Sequence, residues 1–455
     1  MGEQQKTQGV LDDGGLGEAR MAVARGAEPM AASPEPESPS ACNRLMEEVC
    51  ERENLKQALK RVKANKGGPG VDGMTVQALP GYLREHWPSI RVALLDGTYR
   101  PQPVRRVEIP KPDGGGVRKL GIPSALDRFV QQAVLQVLQR RWDPTFSNAS
   151  YGFRPGRSAH QAVAHAQDYI RAGYRWVVDL DLEKFFDRVN HDVLMSRVAK
   201  RISDRRMLRL IRAFLTAGVM ENGLIGATDE GTPQGGPLSP LLSNLMLDDL
   251  DRELERRGLR FVRYADDCNV YVRSERAGQR VMAGLKAFLV GRLKLKVNEA
   301  KSAVARPHTR KFLGFSFLDR GQVKRRIAPK ALARFKVRIR ELTQRSHGIS
   351  VDQMIGALNR YLTGWRGYFG FCETPSVLQR LDEWVRRRIR CFFWKQWRRG
   401  RTRFRELVAR GVDRNLAAQT AGSPHNAWRL SNSPALQRAL TNRFLRSLGL
   451  PSLTV

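Results

Sequence analysis

The stretch that decides the fold is FVRYADDCNVYV, which runs from Phe261 to Val272. Two β-prone apolar runs flank the adjacent aspartates Asp266 and Asp267, and this pattern predicts a hairpin with the aspartates at its tip. Adjacent carboxylates repel each other and must stay hydrated or be neutralised. Carboxylate oxygens suit Mg²⁺ or Mn²⁺, and a pair of such ions serves in-line phosphoryl displacement. The stretch therefore predicts a turn that holds divalent cations.

The stretch RWVVDLDL at 175–182 predicts a second strand, which supplies a third carboxylate. Alternation along the strand places Asp179 and Asp181 on the same face. Two carboxylates on one face of an apolar strand are costly unless a cation pairs with them. From spacing alone, either aspartate is a candidate ligand. The bulky rings of Phe185 and Phe186 follow directly.

Apolar residues at helical spacing predict helices in several other parts of the chain. The predicted helices, or groups of helices, span 45–64, 125–142, 189–220, 238–257, 325–345 and 376–399. Glycine-rich or mixed polar stretches at 65–73 and 150–158 predict loops between them.

Three segments occur in the order and with the spacing of reverse transcriptase motifs: DLEKFFD at 181–187, GTPQGGPLSP at 231–240 and YADD at 264–267. The stretch at 109–123 resembles the fingers hairpin of these enzymes, and KFLGF at 311–315 resembles the segment that holds the primer 3′ end. LNRYLTGWRGYF at 358–369 resembles the maturase, or X, region. From about Leu45 to the C-terminus, the chain resembles the group II intron-encoded reverse transcriptase/maturase family.

This resemblance implies an α+β fold, a right-hand polymerase whose fingers and palm combine an antiparallel sheet with helices, followed by an α-helical thumb/maturase domain. The expected divisions are a disordered acidic tail, fingers and palm, thumb/maturase domain and a basic C-terminal RNA/DNA-binding extension, at 1–40, 41–318, 319–410 and 411–455. His425 has no cysteine pair near it. We therefore expect the bacterial type that lacks the H-N-H endonuclease domain.

The resemblance also implies roles at the reaction centre. Asp181, Asp266 and Asp267 are the expected catalytic metal ligands for Mg²⁺ or Mn²⁺. The motif register selects Asp181 over Asp179, which is interpreted as the charge partner of a basic neighbour. The expected dNTP-binding residues are Lys111, Arg118, Phe186 and Gln234, with Phe186 as the steric gate against a ribose 2′-hydroxyl.

Basic residues interleaved with aromatic ones predict contacts with nucleic acid, because bases stack on rings while arginines bind phosphates. The loop at 150–158 has this composition, although a packed turn is the alternative. The tryptophans between Trp384 and Arg410 also suit an ordinary core. The predicted nucleic-acid-binding residues are Arg154, Arg157, Lys311, Arg366, Arg387 and Arg388.

The charge distribution supports a polyanionic partner. The 455 residues carry a formal net charge of +34. The first 40 residues contain three basic and seven acidic residues, a net charge of −4, so the remaining residues carry +38. A folded body with this charge repels itself unless a nucleic acid neutralises it. A basic surface that only aids solubility is the weaker alternative.

The five cysteines contain no Cys-x-x-Cys pair, so we expect neither zinc nor a disulfide framework. No apolar run is long enough for a membrane span. These features predict a cytoplasmic protein, associated with the nucleoid through RNA or DNA. No pattern in the sequence predicts an oligomeric state.

The expected partners are group II intron RNA, an RNA template with a DNA primer, dNTPs and a DNA target. Two alternatives remain at this point. One is a maturase dedicated to splicing, with little polymerase activity. The other is a domesticated reverse transcriptase in repair or CRISPR adaptation.

Overall fold

The computed structural model describes residues 44–110, 116–221, 224–226, 230–232, 235–318, 321–344 and 348–454. The predicted acidic tail at 1–40 and the predicted dNTP contacts Lys111 and Gln234 lie outside these residues. Within the described part of the chain, no helix is both long enough and apolar enough to span a bilayer.

The helices of the first two thirds are α1 (Leu45–Val49), α2 (Arg52–Ala64), α3 (Leu79–Leu95), α4 (Ala125–Trp142), α5 (Ala159–Arg171), α6 (His191–Ala199), α7 (Arg205–Thr216), α8 (Ser239–Arg256) and α9 (Glu275–Phe288). The later helices are α10 (Pro329–Leu342), α11 (Val351–Phe369), α12 (Pro375–Gln396), α13 (Gly400–Ala409), α14 (Arg414–Ala421), α15 (Ala427–Leu430), α16 (Pro434–Ala439) and α17 (Asn442–Ser447).

The strands are β1 (Val104–Pro110), β2 (Val117–Ile122), β3 (Trp176–Leu180), β4 (Val219–Glu221), β5 (Leu224–Gly226), β6 (Arg260–Tyr264), β7 (Asp267–Val272), β8 (Ala303–Ala305), β9 (Phe315–Leu318) and β10 (Lys324–Ile327). The arrangement is α+β with a helical C-terminal region, as the sequence predicts.

The sheet order β6-β7-β3-β8 places the two carboxylate-bearing segments next to each other. The predicted hairpin is confirmed, because β6 and β7 pair up to Tyr264 and Asp267 and leave a two-residue turn. Leu180 of β3 lies opposite Cys268 of β7 in an antiparallel register. Asp181, the next residue, therefore lies at the level of Asp267.

Both faces of this sheet are covered. Val178 and Leu180 belong to a hydrophobic core that also contains residues of α4 and α8. Val177 points into a second cluster with Phe315 and residues of α5. The alternation predicted for this strand is confirmed, and it places Asp179 on the face of the second cluster.

A second sheet, in the order β2-β1-β4-β5, contains the predicted fingers hairpin. β1 and β2 are antiparallel, with Ile109 opposite Arg118, and the tip at 111–115 lies outside the described residues. α4 follows β2 and has the predicted limits. Its start is fixed by Ser124, whose hydroxyl accepts a 3.0 Å hydrogen bond from the backbone N–H of Asp127.

The predicted helix at 325–345 is wrong in its first turn. Residues Lys324–Ile327 form β10, which pairs antiparallel with β9. The backbone N–H of Ala328 donates a 2.9 Å hydrogen bond to the Gly314 carbonyl, and α10 begins only at Pro329. Pairing with the preceding strand β9 therefore overrides the local helical pattern, and proline occupies the first helical position, which suits it.

The C-terminal residues 411–454 do not form a core of their own. Leu436 and Leu445 are fully buried in the same hydrophobic cluster as Phe335 and Trp394. The predicted division at 410/411 therefore does not separate two packing units, because residues on both sides of it bury their apolar surface together.

Candidate active site

The four carboxylates of the hairpin region lie close enough to repel one another. The pKa of Asp267 rises from 3.8 to about 6, because of burial first and then the charges of Asp266, Asp179 and Asp181. Burial and the Asp181 charge also raise the pKa of Asp266, while the nearby Arg118 lowers it. The site therefore concentrates negative charge and favours a cation.

Asp179 is already neutralised by the protein. The guanidinium nitrogen Nη2 of Arg310 lies 2.6 Å from its carboxylate. Burial raises the pKa of Asp179, and the charge and hydrogen bond of Arg310 oppose that rise. The interpretation of Asp179 as the charge partner of a basic neighbour is confirmed.

Asp181 differs from Asp179 in that one of its carboxylate oxygens has no hydrogen bond. Its backbone is fixed, because its N–H donates to the Ser302 hydroxyl at 3.0 Å and its carbonyl accepts from the Asn298 N–H at 2.8 Å. Oδ2, by contrast, is buried without a hydrogen-bond partner. The closest ion-pair contact of this oxygen is the exposed Lys301 amine at 3.7 Å. A buried acceptor without a hydrogen-bond donor leaves a lone pair available to a cation.

The donor set fits Mg²⁺ or Mn²⁺. Among the described residues, no group of three or more His, Cys, Asp or Glu side chains is arranged as a complete metal-binding set. Mg²⁺ does not require such a set, because it typically uses one or two carboxylates and takes its other ligands from water and substrate phosphates. The Asp181 oxygen that lacks a hydrogen bond, together with Asp266 and Asp267, would meet that need.

A buried arginine, Arg263, stabilises the turn that carries Asp266 through a hydrogen bond to the turn's backbone. Ala265 adopts a left-handed φ of 57°, which a residue with a side chain rarely adopts. Nη1 of Arg263 donates hydrogen bonds of 2.9 Å to the Ala265 carbonyl and to Oδ1 of Asn244. Asp251 in turn accepts two hydrogen bonds from Arg263, at 2.7 and 2.5 Å. Arg263 and Asp251 are both 0% exposed, so the turn rests on a buried ion pair.

Gly152 touches the same turn from the loop at 150–158. A Cβ atom at this position would lie 2.2 Å from the backbone nitrogen of Ala265, so only glycine allows the approach. The Gly152 carbonyl accepts a 2.8 Å hydrogen bond from the Asn244 side chain. Gly152, Asn244, Asp251 and Arg263 were not singled out from the sequence. The usable signal was an arginine within an apolar strand, because a buried arginine needs an acidic partner.

Phe186 lies in a 3₁₀ turn at Phe185–Asp187, with its ring edge-on to Phe185 at a centroid distance of 5.2 Å. Two cavities of about 420 Å³ each share this residue. The basic residues that line the first cavity are Arg106, Lys119, Lys184 and Arg188. The second has a mainly apolar lining that includes Leu120, Phe153 and Pro237. Phe186 therefore borders one cavity lined by both basic and acidic side chains, the latter Asp187 and Glu230, and another with a mainly apolar lining.

The predicted nucleic-acid contact at Arg154 requires correction. Its side chain is only 3% exposed and pairs with Asp143 at 2.8 Å. Its other nitrogens donate to the carbonyls of Asp143, Ser147 and Ser150. Arg154 therefore stabilises the loop from inside, because the loop's buried carbonyls need donors.

The other predicted nucleic-acid contacts are more accessible. Lys311 is exposed, while Arg157, Arg366, Arg387 and Arg388 are half-buried. The guanidinium of Arg157 lies 5.3 Å from the Tyr151 ring centroid. The guanidinium of Arg387 lies 4.1 Å from the ring centroid of Trp428, an exposed aromatic residue. Arg388 instead donates hydrogen bonds to the Thr343 hydroxyl at 3.0 and 2.9 Å.

The raised pKa of Asp267 predicts a stability that depends on pH. Because the folded-state pKa lies above the unfolded one, ionisation destabilises the fold as the pH rises from about 4 to about 6. With divalent cations removed by a chelator, Asp267→Asn should therefore raise the free energy of unfolding near neutral pH. The gain should be about 1 kcal/mol or less, since the residue retains contact with solvent.

Thermal unfolding of the wild type and Asp267→Asn across this pH range measures that difference. The two proteins should converge below about pH 4, where both carry a neutral side chain. A gain that persisted at that pH, or a loss near neutral pH, would contradict the assignment.

Two family models match the chain. The model described as "Reverse transcriptase (RNA-dependent DNA polymerase)" matches residues 109–317, and "Group II intron, maturase-specific domain" matches 332–411. "Protein YkfC" of Escherichia coli is 35% identical over 323 residues, which are 62% of this chain and 84% of that protein.

The chain is also similar to "Group II intron-encoded protein LtrA" of Lactococcus lactis subsp. cremoris, with 39% identity over 206 residues. This alignment covers 45% of this chain and 34% of that protein, so the chain matches only about a third of LtrA. Among solved structures, a partial Cas6-RT-Cas1–Cas2 complex has a TM-score of 0.36 at 27% identity, covering 54% of this chain and 42% of that chain. By its two matched domains and its intron-encoded relatives, the chain belongs to the group II intron-encoded reverse transcriptase/maturase family.

Proposed function

We propose that the chain is an RNA-directed DNA polymerase that also binds intron RNA to assist splicing and mobility. The observation that carries this proposal is the set of carboxylates at the β6–β7 turn, where Asp181 lies at the level of Asp267 and one of its oxygens lacks a hydrogen bond. The primer 3′-hydroxyl would attack the α-phosphorus of a dNTP, and pyrophosphate would leave. Mg²⁺-dependent extension of a DNA primer on RNA is the activity that the proposal requires, and a folded wild type without it would refute the polymerase role.

Asp181, Asp266 and Asp267 would hold the divalent cations. Bound there, such ions lower the pKa of the 3′-hydroxyl and neutralise the charge on the leaving pyrophosphate. The protein's own contribution is to fix the Asp266 turn through Arg263 and to keep Asp179 neutralised through Arg310. Arg118 would bind the triphosphate by charge-assisted hydrogen bonds, with Lys111 and Gln234 as further contacts by resemblance.

Phe186 would set the preference for deoxynucleotides. Its ring borders two cavities beside the fingers hairpin, and the sugar of an incoming nucleotide would lie against it. A 2′-hydroxyl would press against the ring. Steric exclusion of this kind gives a ratio of roughly 10–200 between the kcat/KM values of the accepted and the excluded nucleotide.

Phe186→Ala is therefore expected to raise rNTP incorporation relative to dNTP incorporation by about ten-fold or more. The ratio of kcat/KM for the two nucleotides on one primed RNA template measures it. Phe185→Leu is a control, because Phe185 is a buried core residue that should affect stability more than selectivity. If Phe186→Ala left the ratio of kcat/KM for rNTP and dNTP unchanged, Phe186 would not be the residue that excludes the 2′-hydroxyl.

The RNA-binding part of the proposal rests on the helical C-terminal region. A cavity of about 460 Å³ on α12 is lined by four arginines, one glutamate and polar residues of the segment 432–442; its charged residues are Arg380, Glu383, Arg386, Arg387 and Arg390. Arg387 and the exposed Trp428 ring form a cation–aromatic pair beside them. Arginines and exposed rings are the groups that bind RNA phosphates and unstacked bases. Intron RNA and a DNA target would bind at this surface. We place a protein that acts on these two nucleic acids in the cytoplasm.

Combining Arg387→Ala with Trp428→Ala should weaken binding of a structured RNA about ten-fold or more, since one stacked base contributes roughly 1–3 kcal/mol. The salt dependence of the affinity should also become shallower by about one phosphate contact. Arg256→Ala is the matched control, because Arg256 on α8 is 70% exposed and pairs with Glu253. Equal weakening by the control would show that only net charge matters.

A further inference from the structure

The segment 310–315 reaches the carboxylates directly. Arg310 contacts Asp179 at 2.6 Å, and Lys311 follows it directly in the chain. The position of this segment therefore affects the geometry at the reaction centre. By its resemblance to the primer-holding segment of reverse transcriptases, KFLGF at 311–315 would contact the primer 3′ end.

The segment closes in a tight turn with an unusual backbone. Phe312 and Phe315 exchange backbone hydrogen bonds of 2.8 and 2.9 Å. Between them, Leu313 has a φ of 50° and Gly314 a φ of 82°. Glycine adopts this region freely, whereas leucine does so only when its surroundings hold it there.

The surroundings that hold Leu313 come from the maturase-specific region. The hydroxyl of Tyr368, at the end of α11, donates a 2.7 Å hydrogen bond to the Leu313 carbonyl. The neighbouring Phe369 ring packs on Gly314, where a Cβ atom would lie 3.1 Å from it. α11 therefore fixes both left-handed residues of the turn.

Tyr368 is itself tied to the polymerase part of the chain. Nε2 of His160, in α5, donates a 2.7 Å hydrogen bond to the Tyr368 carbonyl. The His160 ring stacks on Phe371 at a centroid distance of 4.6 Å. Phe315, which is fully buried, packs edge-on against both rings, with its centroid 5.6 Å from that of Tyr368. The end of α11 is thus clamped between α5 and the turn.

We propose that Tyr368 is a positioning residue for DNA synthesis: its hydroxyl fixes the turn at Leu313 and thereby places Arg310, Lys311 and the primer end against the carboxylates. This inference rests on the proposed polymerase function and adds a residue of the maturase-specific region to it. The GYF sequence that ends α11 then serves the polymerase site, while the exposed face of the same region remains free for RNA.

The alternative is that Tyr368 only fills the aromatic cluster. The two hypotheses assign different roles to the hydroxyl. Packing requires only the ring, whereas positioning the turn requires the hydroxyl's hydrogen bond. Tyr368→Phe keeps the ring and removes the hydrogen bond to Leu313. Tyr361→Phe is the matched control, because it removes a hydroxyl from the same helix where the ring stacks on Phe335 in the helical core.

The experiment uses the full chain, a DNA primer annealed to RNA, dNTPs and Mg²⁺. Tyr368→Phe should lower the single-turnover rate of the first nucleotide addition by about ten-fold, because small displacements of reacting groups are costly. Its affinity for primer–template and its KM for dNTP should match those of Tyr361→Phe. A change in rate at constant affinity is the mark of a misplaced primer end.

Three results would overturn the inference: a wild-type rate in Tyr368→Phe, an equal loss of rate in Tyr361→Phe, or a loss explained entirely by weaker primer–template binding. Failure of the proposed function looks different. In that case the wild type itself would extend no primer, and this inference would fall with it.

Discussion

Asp266→Asn is expected to lower the rate of cDNA synthesis by about a thousand-fold, which corresponds to about 4 kcal/mol of lost transition-state stabilisation. Asp266 lies in the two-residue turn between β6 and β7, and the charge of Asp181 acts on it. The amide has nearly the same shape but carries no charge for a divalent cation. Primer extension with dNTPs on an RNA template measures the effect.

Loss of folding is not expected to explain this result. Burial and the Asp181 charge raise the pKa of Asp266, so a neutral side chain relieves repulsion in the folded state. Asp192→Asn is a suitable control, because Asp192 is an exposed surface residue whose ion pair with Arg212 contributes little. RNA binding should be unchanged in both variants. An Asp266→Asn protein that retained more than about a tenth of the rate would refute the assignment.

Arg263→Met should have the second large effect, on stability and activity together. Removing Arg263 leaves Asp251 fully buried without its partner, which costs roughly 3–5 kcal/mol. It also removes the hydrogen bond to the Ala265 carbonyl that holds the left-handed turn. Chemical denaturation gives the change in unfolding free energy, and primer extension gives the activity.

The double variant Arg263→Met with Asp251→Leu separates these two effects. Replacing a whole buried ion pair by apolar residues is often neutral or stabilising, so much of the lost stability should return. The turn would still lack its donor, so cDNA synthesis should remain low. Recovery of activity together with stability would show that Arg263 acts only through the fold.

Local patterns predicted the hairpin correctly because its determinants lie within a few residues of one another. The alternation of β6 and β7 and the charged step between them need no distant partner to be interpreted. The same is true of α4, whose limits follow from a serine cap and an apolar stripe. The placement of Asp181 beside Asp267 needed the motif order as well, since nothing local pairs β3 with β7.

Residues whose role depends on a contact outside their own helix, strand or turn were missed or misinterpreted. Arg154 has the composition of a nucleic-acid contact, yet the carbonyls of its own loop and Asp143 occupy its donors. Lys324–Ile327 continue a helical pattern, yet β9 offers a strand partner. Arg263 supports the turn only because α8 brings Asp251 beneath it. In each case a tertiary contact decides between two locally acceptable structures.

The central claim is that the carboxylates at the β6–β7 turn form the reaction centre of a polymerase. The most direct test is Mg²⁺-dependent extension of a DNA primer on an RNA template by the purified wild type, beside Asp266→Asn and a splicing assay of cognate intron RNA. The account predicts cDNA from the wild type alone, with RNA binding and splicing support in both proteins. A folded wild type that supports splicing but makes no cDNA in Mg²⁺ or Mn²⁺ would contradict it and identify a splicing-dedicated maturase.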